Sequence, residues 1–344
     1  MWFHIFFSLI ISVFTLNQAF AGPDSAAIKV PLAEQALITA TVSQDQHLFA
    51  VGTLGHILKR HKSEPSWQQA ALSKSPLLTA IAADKSTLIA VGHDSSIFTS
   101  YDAGESWDIS QFLPETDLPL LAVMPLADNH WIALGAYGAF YRSQDNGKSW
   151  QFEFHQELLF AEDAAFLDEL KQQSYDDYLY ERAAMLPHFN GIERLQDGRL
   201  VITGEMGFIA VGDPMAKAFK RIESPYEGSF FSVKRLADGQ ILFGGLQGNL
   251  FVANHDLSEF TQVSFKVKAN INHIDIGPDH GIYLATNGGR IFRADPSLDF
   301  TLIYRSKGQD FTSLEFVDEQ LLAFGSKGVE TVPLASQGGN KDAQ

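Results

Sequence analysis

One short segment recurs seven times along the chain, and this repeat limits the folds that are open to it. Three of the copies read LFAVGTLGHILKR (48–60), LIAVGHDSSIFTS (88–100) and WIALGAYGAFYRS (131–143). All seven align on one anchor position, which is occupied by Gly52, Gly92, Gly135, Gly204, Gly245, Thr286 and Gly325. Successive anchors are 40, 43, 69, 41, 41 and 39 residues apart. A period near 40 residues with several short apolar strands per unit is typical of a β-propeller, so we predict an all-β, seven-bladed propeller of four-stranded blades.

Two of the repeats continue into the same eight-residue pattern, Ser-x-Asp-x-Gly-x-x-Trp, which is called an Asp box. Its two sets of residues are Ser100, Asp102, Gly104 and Trp107, and Ser143, Asp145, Gly147 and Trp150. We expect the Asp carboxylate to accept N–H groups of its own turn and the glycine to take a positive φ. The Trp would fill space between neighbouring blades. The Asp box therefore predicts a structural turn between the third and fourth strands of a blade.

The third and fourth anchors are separated by about 28 residues more than the period requires. The extra residues lie at about 153–188, where apolar side chains recur at helical spacing and predict helices at about 156–172 and 175–185. This aromatic and acidic insert after blade 3 is either a solvated decoration of one blade or a recognition element or lid over one mouth of the ring. Its candidate partner-binding residues are Phe160, Phe166, Tyr175, Tyr178 and Tyr180.

The N-terminal residues predict export. Residues 1–21 form an apolar run that ends in Ala-Phe-Ala, and these small residues suit cleavage by signal peptidase. A membrane anchor is the alternative, but the apolar stretch at 5–16 is shorter than the roughly 20 residues that span a bilayer. We therefore predict a cleaved signal peptide, a periplasmic location and a propeller over residues 22–335. The polar residues 336–344 are expected to form a disordered tail.

The last repeat shows three strand segments and then becomes polar. The segment AAIKVPLA (26–33), near the other end of the chain, offers one more strand. We predict that this strand completes blade 7 and joins the two ends of the chain, which would remove an exposed sheet edge.

The composition restricts the ligands that the protein can take. Asp and Glu number 41 against 25 Lys and Arg, which gives a formal net charge of −16. This charge argues against nucleic acid and anionic lipid as primary ligands. The 11 His residues show no metal-ligand spacing, and no phosphate-binding loop is found, so we expect neither a metal nor a cofactor. We expect the protein to be monomeric by itself.

The repeat and the two Asp boxes resemble the BNR/Asp-box propellers, and within them the chain is most similar to the photosystem II stability/assembly factor family. The resemblance covers about residues 27–335. It implies an exported seven-bladed propeller without enzymatic chemistry, which acts as a scaffold for membrane-protein assembly intermediates. It also implies a surface patch of arginines, for which the candidates are Arg142, Arg194, Arg235, Arg290, Arg293 and Arg305.

Sialidases also use Asp-box propellers, so the alternative is an exported sialidase-like glycoside hydrolase or a glycan-binding propeller. Sialidase chemistry needs three arginines around a carboxylate, a Tyr nucleophile beside a Glu, and an Asp acid/base. Tyr, Glu and Arg occur together in YERAAM (180–185), but this segment falls on a predicted helix outside the blades. We therefore predict a non-enzymatic scaffold with no catalytic residues, which binds a membrane protein or an envelope transport or assembly complex.

Overall fold

The computed structural model describes residues 25–334, so the predicted signal peptide and disordered tail lie outside the described residues. These residues form seven antiparallel sheets. The first strand of each blade contacts the first strands of both neighbouring blades, and those of blades 7 and 1 also touch, so the sheets form a closed ring. The predicted seven-bladed propeller is therefore confirmed. No helix within residues 25–334 has the length and hydropathy needed to cross a bilayer.

Each of the first three blades is a four-stranded meander. Blade 1 consists of β1 (Ile38–Gln44), β2 (His47–Gly52), β3 (Ile57–His61) and β4 (Gln68–Gln69). Blade 2 consists of β5 (Leu78–Asp84), β6 (Thr87–Gly92), β7 (Ile97–Ser100) and β8 (Asp108–Gln111). Blade 3 consists of β9 (Leu120–Pro125), β10 (Trp131–Gly135), β11 (Phe140–Ser143) and β12 (Gln151–Phe152).

The insert follows blade 3 and contains α1 (Ala161–Gln173) and α2 (Tyr175–Arg182). Blade 4 consists of β13 (Phe189–Arg194), β14 (Leu200–Gly204), β15 (Ile209–Gly212) and β16 (Phe219–Arg221). Blade 5 consists of β17 (Phe230–Arg235), β18 (Ile241–Gly245), β19 (Leu250–Ala253) and β20 (Phe260–Gln262). Blade 6 consists of β21 (Ile271–Ile276), β22 (Ile282–Thr286), β23 (Arg290–Ala294) and β24 (Thr301–Arg305), and blade 7 of β25 (Phe311–Val317), β26 (Gln320–Gly325) and β27 (Gly328–Val332).

The anchor glycines are required by close backbone contact rather than by their own φ angles. A Cβ atom on Gly52 would lie 2.0 Å from the carbonyl oxygen of Leu37, and one on Gly92 would lie 2.2 Å from that of Leu77. In both blades this carbonyl belongs to the residue that enters the innermost strand. The glycine therefore lets the end of the second strand pack against the start of the first.

A repeated hydrogen bond joins the innermost strands around the ring. Each innermost strand has a bulge after its first residue, as in β1 between Ile38 and Ala40. The bulged residue is Thr or Asn in five blades, and its side chain donates to the carbonyl of the first residue of the next innermost strand. The donors and acceptors are Thr39 to Leu78, Thr79 to Leu120, Asn190 to Phe230, Asn272 to Phe311 and Thr312 to Ile38.

The ring closes differently from the prediction. Residues 26–30 form no strand, and among the described residues the sheet of blade 7 has three strands. The predicted strand at 26–33 is wrong because this segment lies along blade 1 instead, where Ala27 N–H donates to Leu72 and Gln69 bonds the backbone of Ile28 and Val30. Closure relies on the Thr312–Ile38 bond, on hydrogen bonds from Thr41 and Ser43 of blade 1 to Glu315 of blade 7, and on an apolar cluster between these blades. This cluster is of the same kind as those at the other six junctions.

Candidate docking surface around the helical insert

The insert is fixed to the propeller through its stem, the residues on either side of the two helices. Arg142 of β11 makes a bidentate ion pair with Glu153, with N–O distances of 2.6 and 2.9 Å. The same guanidinium donates to the carbonyls of Met215 and Ala216 in blade 4. Arg142 is buried. It therefore holds blade 3, the stem and blade 4 together, and the prediction that it contacts a partner at the surface is wrong.

Apolar and aromatic contacts complete this attachment. The His155 ring packs edge-on against Phe140 of blade 3 and Phe219 of blade 4, with centroids 4.3 and 4.9 Å apart. Leu158 and Leu186 are buried in the apolar cluster between these blades. Both ends of the insert are thus part of the core, so the helices leave the ring from a fixed base.

Both predicted helices are present, but α1 starts five residues later than predicted and α2 ends three residues earlier. Carboxylates in the first turns of both helices suit the positive N-terminal end of the helix dipole, and Ser174 caps α2 by accepting from the Asp177 N–H. The segment predicted to begin the first helix, Gln156–Leu158, forms a separate single turn. This turn lies near the blades because Leu158 is drawn into the core.

Two aromatic rings of the insert, Tyr178 and Phe160, are paired with cations from the same chain. Tyr178 is buried, with Lys171 at 5.1 Å and Arg182 at 5.2 Å from its ring centroid. Arg221 of blade 4 lies 4.2 Å from the ring centroid of Phe160. The predicted contact of Tyr178 with a partner is wrong, because this ring packs the helices together and is not accessible.

The outer side of the insert leaves aromatic rings in solvent. The exposed fractions are 48% for Phe166, 58% for Tyr175 and 80% for Tyr180. Large aromatic side chains on a helix are usually turned toward a core, so three exposed rings on one short insert indicate a contact surface. Of the five predicted aromatics, Tyr178 alone is buried; Phe160 is also 58% exposed, and it differs from the other three in having Arg221 over its ring.

Two turn tips beside the insert add to this surface, and the sequence interpretation did not single them out. Tyr137 and Met206 lie between the second and third strands of blades 3 and 4, are 48% and 69% exposed, and have φ angles of 52° and 51°. This positive φ belongs to the repeated turn, because Leu54 and Gln247 have φ angles of 55° at the same position in blades 1 and 5. The Tyr137 ring packs on His188, whose Nδ1 lies 3.5 Å from Glu205. In the sequence, these two residues can be recognised as the large apolar side chains at the third position of the turns GAYG (135–138) and GEMG (204–207).

The remaining candidate arginines do not form one patch. Arg194 and Arg235 end the innermost strands of blades 4 and 5, where Arg235 Nε donates to the Arg194 carbonyl. Arg293 is held by Asp279 within blade 6. Arg290 and Arg305 are register partners in blade 6. They lie on the opposite face of the propeller, because Arg290 starts the third strand and Arg305 ends the fourth. The arginine patch implied by the resemblance is therefore absent from these six positions.

Both Asp boxes form turns that join their blade to the preceding one. In the first box Asp102 accepts the backbone N–H and the hydroxyl of Ser106, and these bonds lower the pKa of its carboxyl to about 2. Gly104 has a φ of +82°, and a Cβ on it would lie 2.2 Å from the Phe49 ring of blade 1. The second box has the same bonds between Asp145 and Ser149. The boxes therefore have a structural role in this geometry.

A further group of charged residues lies at one level of the innermost strands, and the sequence interpretation missed it. The fifth position of these strands is apolar in blades 1–3 and charged in blades 4–7, where it is occupied by Glu193, Lys234, Asp275 and Glu315. We call these four residues the charged half-ring. Lys234 Nζ lies 2.8 Å from Asp275, while Glu315 accepts from the hydroxyls of Thr41 and Ser43 in blade 1.

Burial changes the acid–base behaviour of this half-ring. It raises the pKa of the Glu193 carboxyl and raises that of Glu315 to about 7, an effect that the nearby Asp275 reinforces for Glu315. It also lowers the pKa of the neighbouring His273 to about 4, so this imidazole is neutral at pH 7. The half-ring could have been found in the sequence as a charged residue at the same position of four successive repeats.

Comparison with known proteins places the chain among propellers of one family. The sequence profile described as "Photosynthesis system II assembly factor YCF48" matches residues 23–341. The chain belongs to this family. A comparison of this YCF48-family chain with curated proteins gives no match.

Solved structures agree with the fold of the YCF48 family. A structure described as "YCF48 bound to D1 peptide" is 17% identical, covers 90% of this chain and 95% of its own, and has a TM-score of 0.64. YCF48 from Cyanidioschyzon merolae is 16% identical, with coverages of 89% and 97% and a TM-score of 0.64. The WD40 propeller domain of Doa1 is 11% identical, with coverages of 90% and 96% and a TM-score of 0.58. At these identities the structural matches support the propeller fold alone.

Proposed function

We propose that the protein is an exported, non-enzymatic scaffold that binds a segment of a membrane protein and helps to assemble or operate an envelope complex. Membership of the YCF48 family supports the scaffold, and one similar solved structure is of YCF48 bound to a D1 peptide. The apolar N-terminal run supports export to the periplasm. Because the six candidate arginines do not form one patch, we assign docking to the insert.

One observation carries the proposal, namely the three exposed aromatic rings on an insert whose base is buried. A surface that is held in place before binding loses less conformational entropy when a partner docks on it. The buried stem, with the Arg142–Glu153 pair and Leu158, provides this fixed position. Exposed aromatics are among the side chains that contribute most to binding energy at protein interfaces.

Capture from the membrane tests the proposal. The protein is crosslinked in solubilised envelope and compared with the variant Phe166→Ser/Tyr180→Ser, which removes two exposed rings and leaves the buried stem intact. The matched control, Ile109→Ser/Leu302→Ser, removes two apolar side chains that are 40% and 51% exposed on outer strands of blades 2 and 6. We expect the protein and the control to capture one membrane protein and the insert variant to lose it. Equal capture by all three forms, or capture by none, would contradict the proposal.

A further inference from the structure

The aromatic rings of the insert differ in whether a lysine or arginine of the same chain stands over them. Lys171 and Arg182 stand over the buried Tyr178, and Arg221 stands over Phe160, which is 58% exposed, so these two rings receive cations from the chain itself. Among residues 25–334, no lysine or arginine stands over Phe166, Tyr175 or Tyr180. Phe166, Tyr175 and Tyr180 can therefore each form a cation–π contact with a cation from another molecule.

Carboxylates flank two of these three rings at helical spacing. Phe166 has Glu162 four residues before it and Glu169 three residues after it, while Tyr180 has Asp176 and Asp177 one turn before it. Residues three and four apart are neighbours on a helix surface. All four carboxylates are exposed, and none of them forms an ion pair within the described part of the chain.

The charge of the two helices is strongly one-sided. Residues 161–182 contain seven Asp or Glu and two Lys or Arg, a net charge of −5. The two cations, Lys171 and Arg182, both stand over Tyr178, and although Lys171 is itself exposed, carboxylates predominate beside Phe166 and Tyr180. Such a surface repels anionic lipid, and it repels a second copy of a chain whose formal net charge is −16.

We infer that the exposed surface of the insert around Phe166 and Tyr180, with their four flanking carboxylates, docks a lysine- or arginine-rich segment of a partner protein. Each ring offers a flat apolar surface for the stem of a long cationic side chain, and the carboxylates beside it attract the charged end. The inference rests on the proposed function only in taking the partner to be a protein. Beyond the proposed function, the inference specifies the charge and composition of the partner segment that the protein recognises.

Binding of designed peptides tests this chemistry without the natural partner. The probe is a fluorescein-labelled peptide of lysine and leucine, compared with the same peptide carrying glutamate in place of lysine, and anisotropy reports binding to the full protein. The variant Glu162→Gln/Glu169→Gln/Asp176→Asn/Asp177→Asn removes the flanking charges, and circular dichroism checks that its helices persist. The control changes four exposed glutamates elsewhere by the same charge: Glu64→Gln, Glu223→Gln, Glu259→Gln and Glu319→Gln.

We expect the lysine peptide to bind and the glutamate peptide not to bind. Loss of the four flanking charges should weaken binding by roughly tenfold, as four exposed ion pairs of a few tenths of a kcal/mol each would require. The affinity of the control variant for the lysine peptide should stay within about twofold of that of the unchanged protein. Added salt should weaken binding of the lysine peptide. Binding that is equal for both peptides, or equal for the insert variant and the control, overturns the inference. Self-association or anionic vesicle binding through this surface also overturns it.

Failure of this inference can be distinguished from failure of the proposed function. If a membrane protein is captured through Phe166 and Tyr180 but the four-carboxylate variant captures it equally well, the function stands and the inference fails. If the lysine peptide binds as expected but no membrane protein is captured, the inference stands and the proposed function fails.

Discussion

Glu315 allows a quantitative test of the ring closure. Its carboxyl lies on the innermost strand of blade 7 and accepts hydrogen bonds from Thr41 and Ser43 of blade 1. Burial, reinforced by Asp275, raises its pKa from an ordinary 4.5 to about 7, while Lys234 acts in the opposite direction. Between these two values the folded protein therefore holds a proton that the unfolded chain releases. Because the folded state binds more protons in this window, stability falls as pH rises from about 4.5 to about 7.

The size of this effect follows from the two pKa values. The difference between a pKa of 4.5 and one of about 7 corresponds to about 3 kcal/mol of unfolding free energy, which is lost in full above pH 7. Glu315→Gln stays neutral at every pH and retains one donor and one acceptor for the two hydroxyls. We expect the variant to gain up to about 3 kcal/mol over the unchanged protein at about pH 8 and little at about pH 5.

Urea unfolding followed by tryptophan fluorescence at the two pH values measures this difference. The control is Glu319→Gln, a glutamate that is exposed two residues after the end of the same strand, and it reports the effect of removing one surface charge. The reasoning is refuted if the advantage of Glu315→Gln is the same at both pH values, or if Glu319→Gln reproduces it.

Three further predictions concern the contacts that hold the ring. Arg142→Met should lower the free energy of unfolding by about 3 kcal/mol, since it removes the donor to Glu153 and to the Met215 and Ala216 carbonyls, and urea unfolding measures the loss; no loss would contradict the role given to this residue. Thr312→Val and Thr39→Val should each cost about 1 kcal/mol in the same assay because both remove the repeated junction bond, and a far larger loss for Thr312 would show that closure differs from other junctions. Asp102→Ala should lower the melting temperature at neutral pH and lower it less near pH 2, where about half of the Asp102 carboxyls of the unchanged protein are protonated, and an equal decrease at both pH values would contradict this.

The propeller could be predicted because its signals are local and repeated. The anchor glycines recur at nearly constant spacing, and each is needed for the same close contact with the carbonyl that enters the innermost strand, as at Gly52 and Leu37. Asp102 and Gly104 likewise act within one turn and on the nearest blade. Where a residue's role depends on neighbours within a few positions, the sequence pattern is sufficient to predict it.

Predictions that depended on distant contacts were less successful. Whether residues 26–33 pair with blade 7 or lie along blade 1 depends on competition between two edges, which a strand-like composition does not decide. Arg142 and Tyr178 have polar ends that suggest exposure, yet the structure surrounds each with partners from other elements. The charged half-ring was missed because its members are about 40 residues apart and become neighbours only when the blades close into a ring.

The most direct test of the proposed docking role places a photo-crosslinking amino acid at position 180, the most exposed ring of the insert, and at position 302 on the outer strand of blade 6 as a control. Both proteins are irradiated in intact envelopes, and the crosslinked products are identified by mass spectrometry. The account predicts that position 180 yields one membrane protein, linked through a lysine- or arginine-rich segment, and that position 302 does not. Absence of a membrane-protein product at position 180, or the same product at both positions, would contradict it.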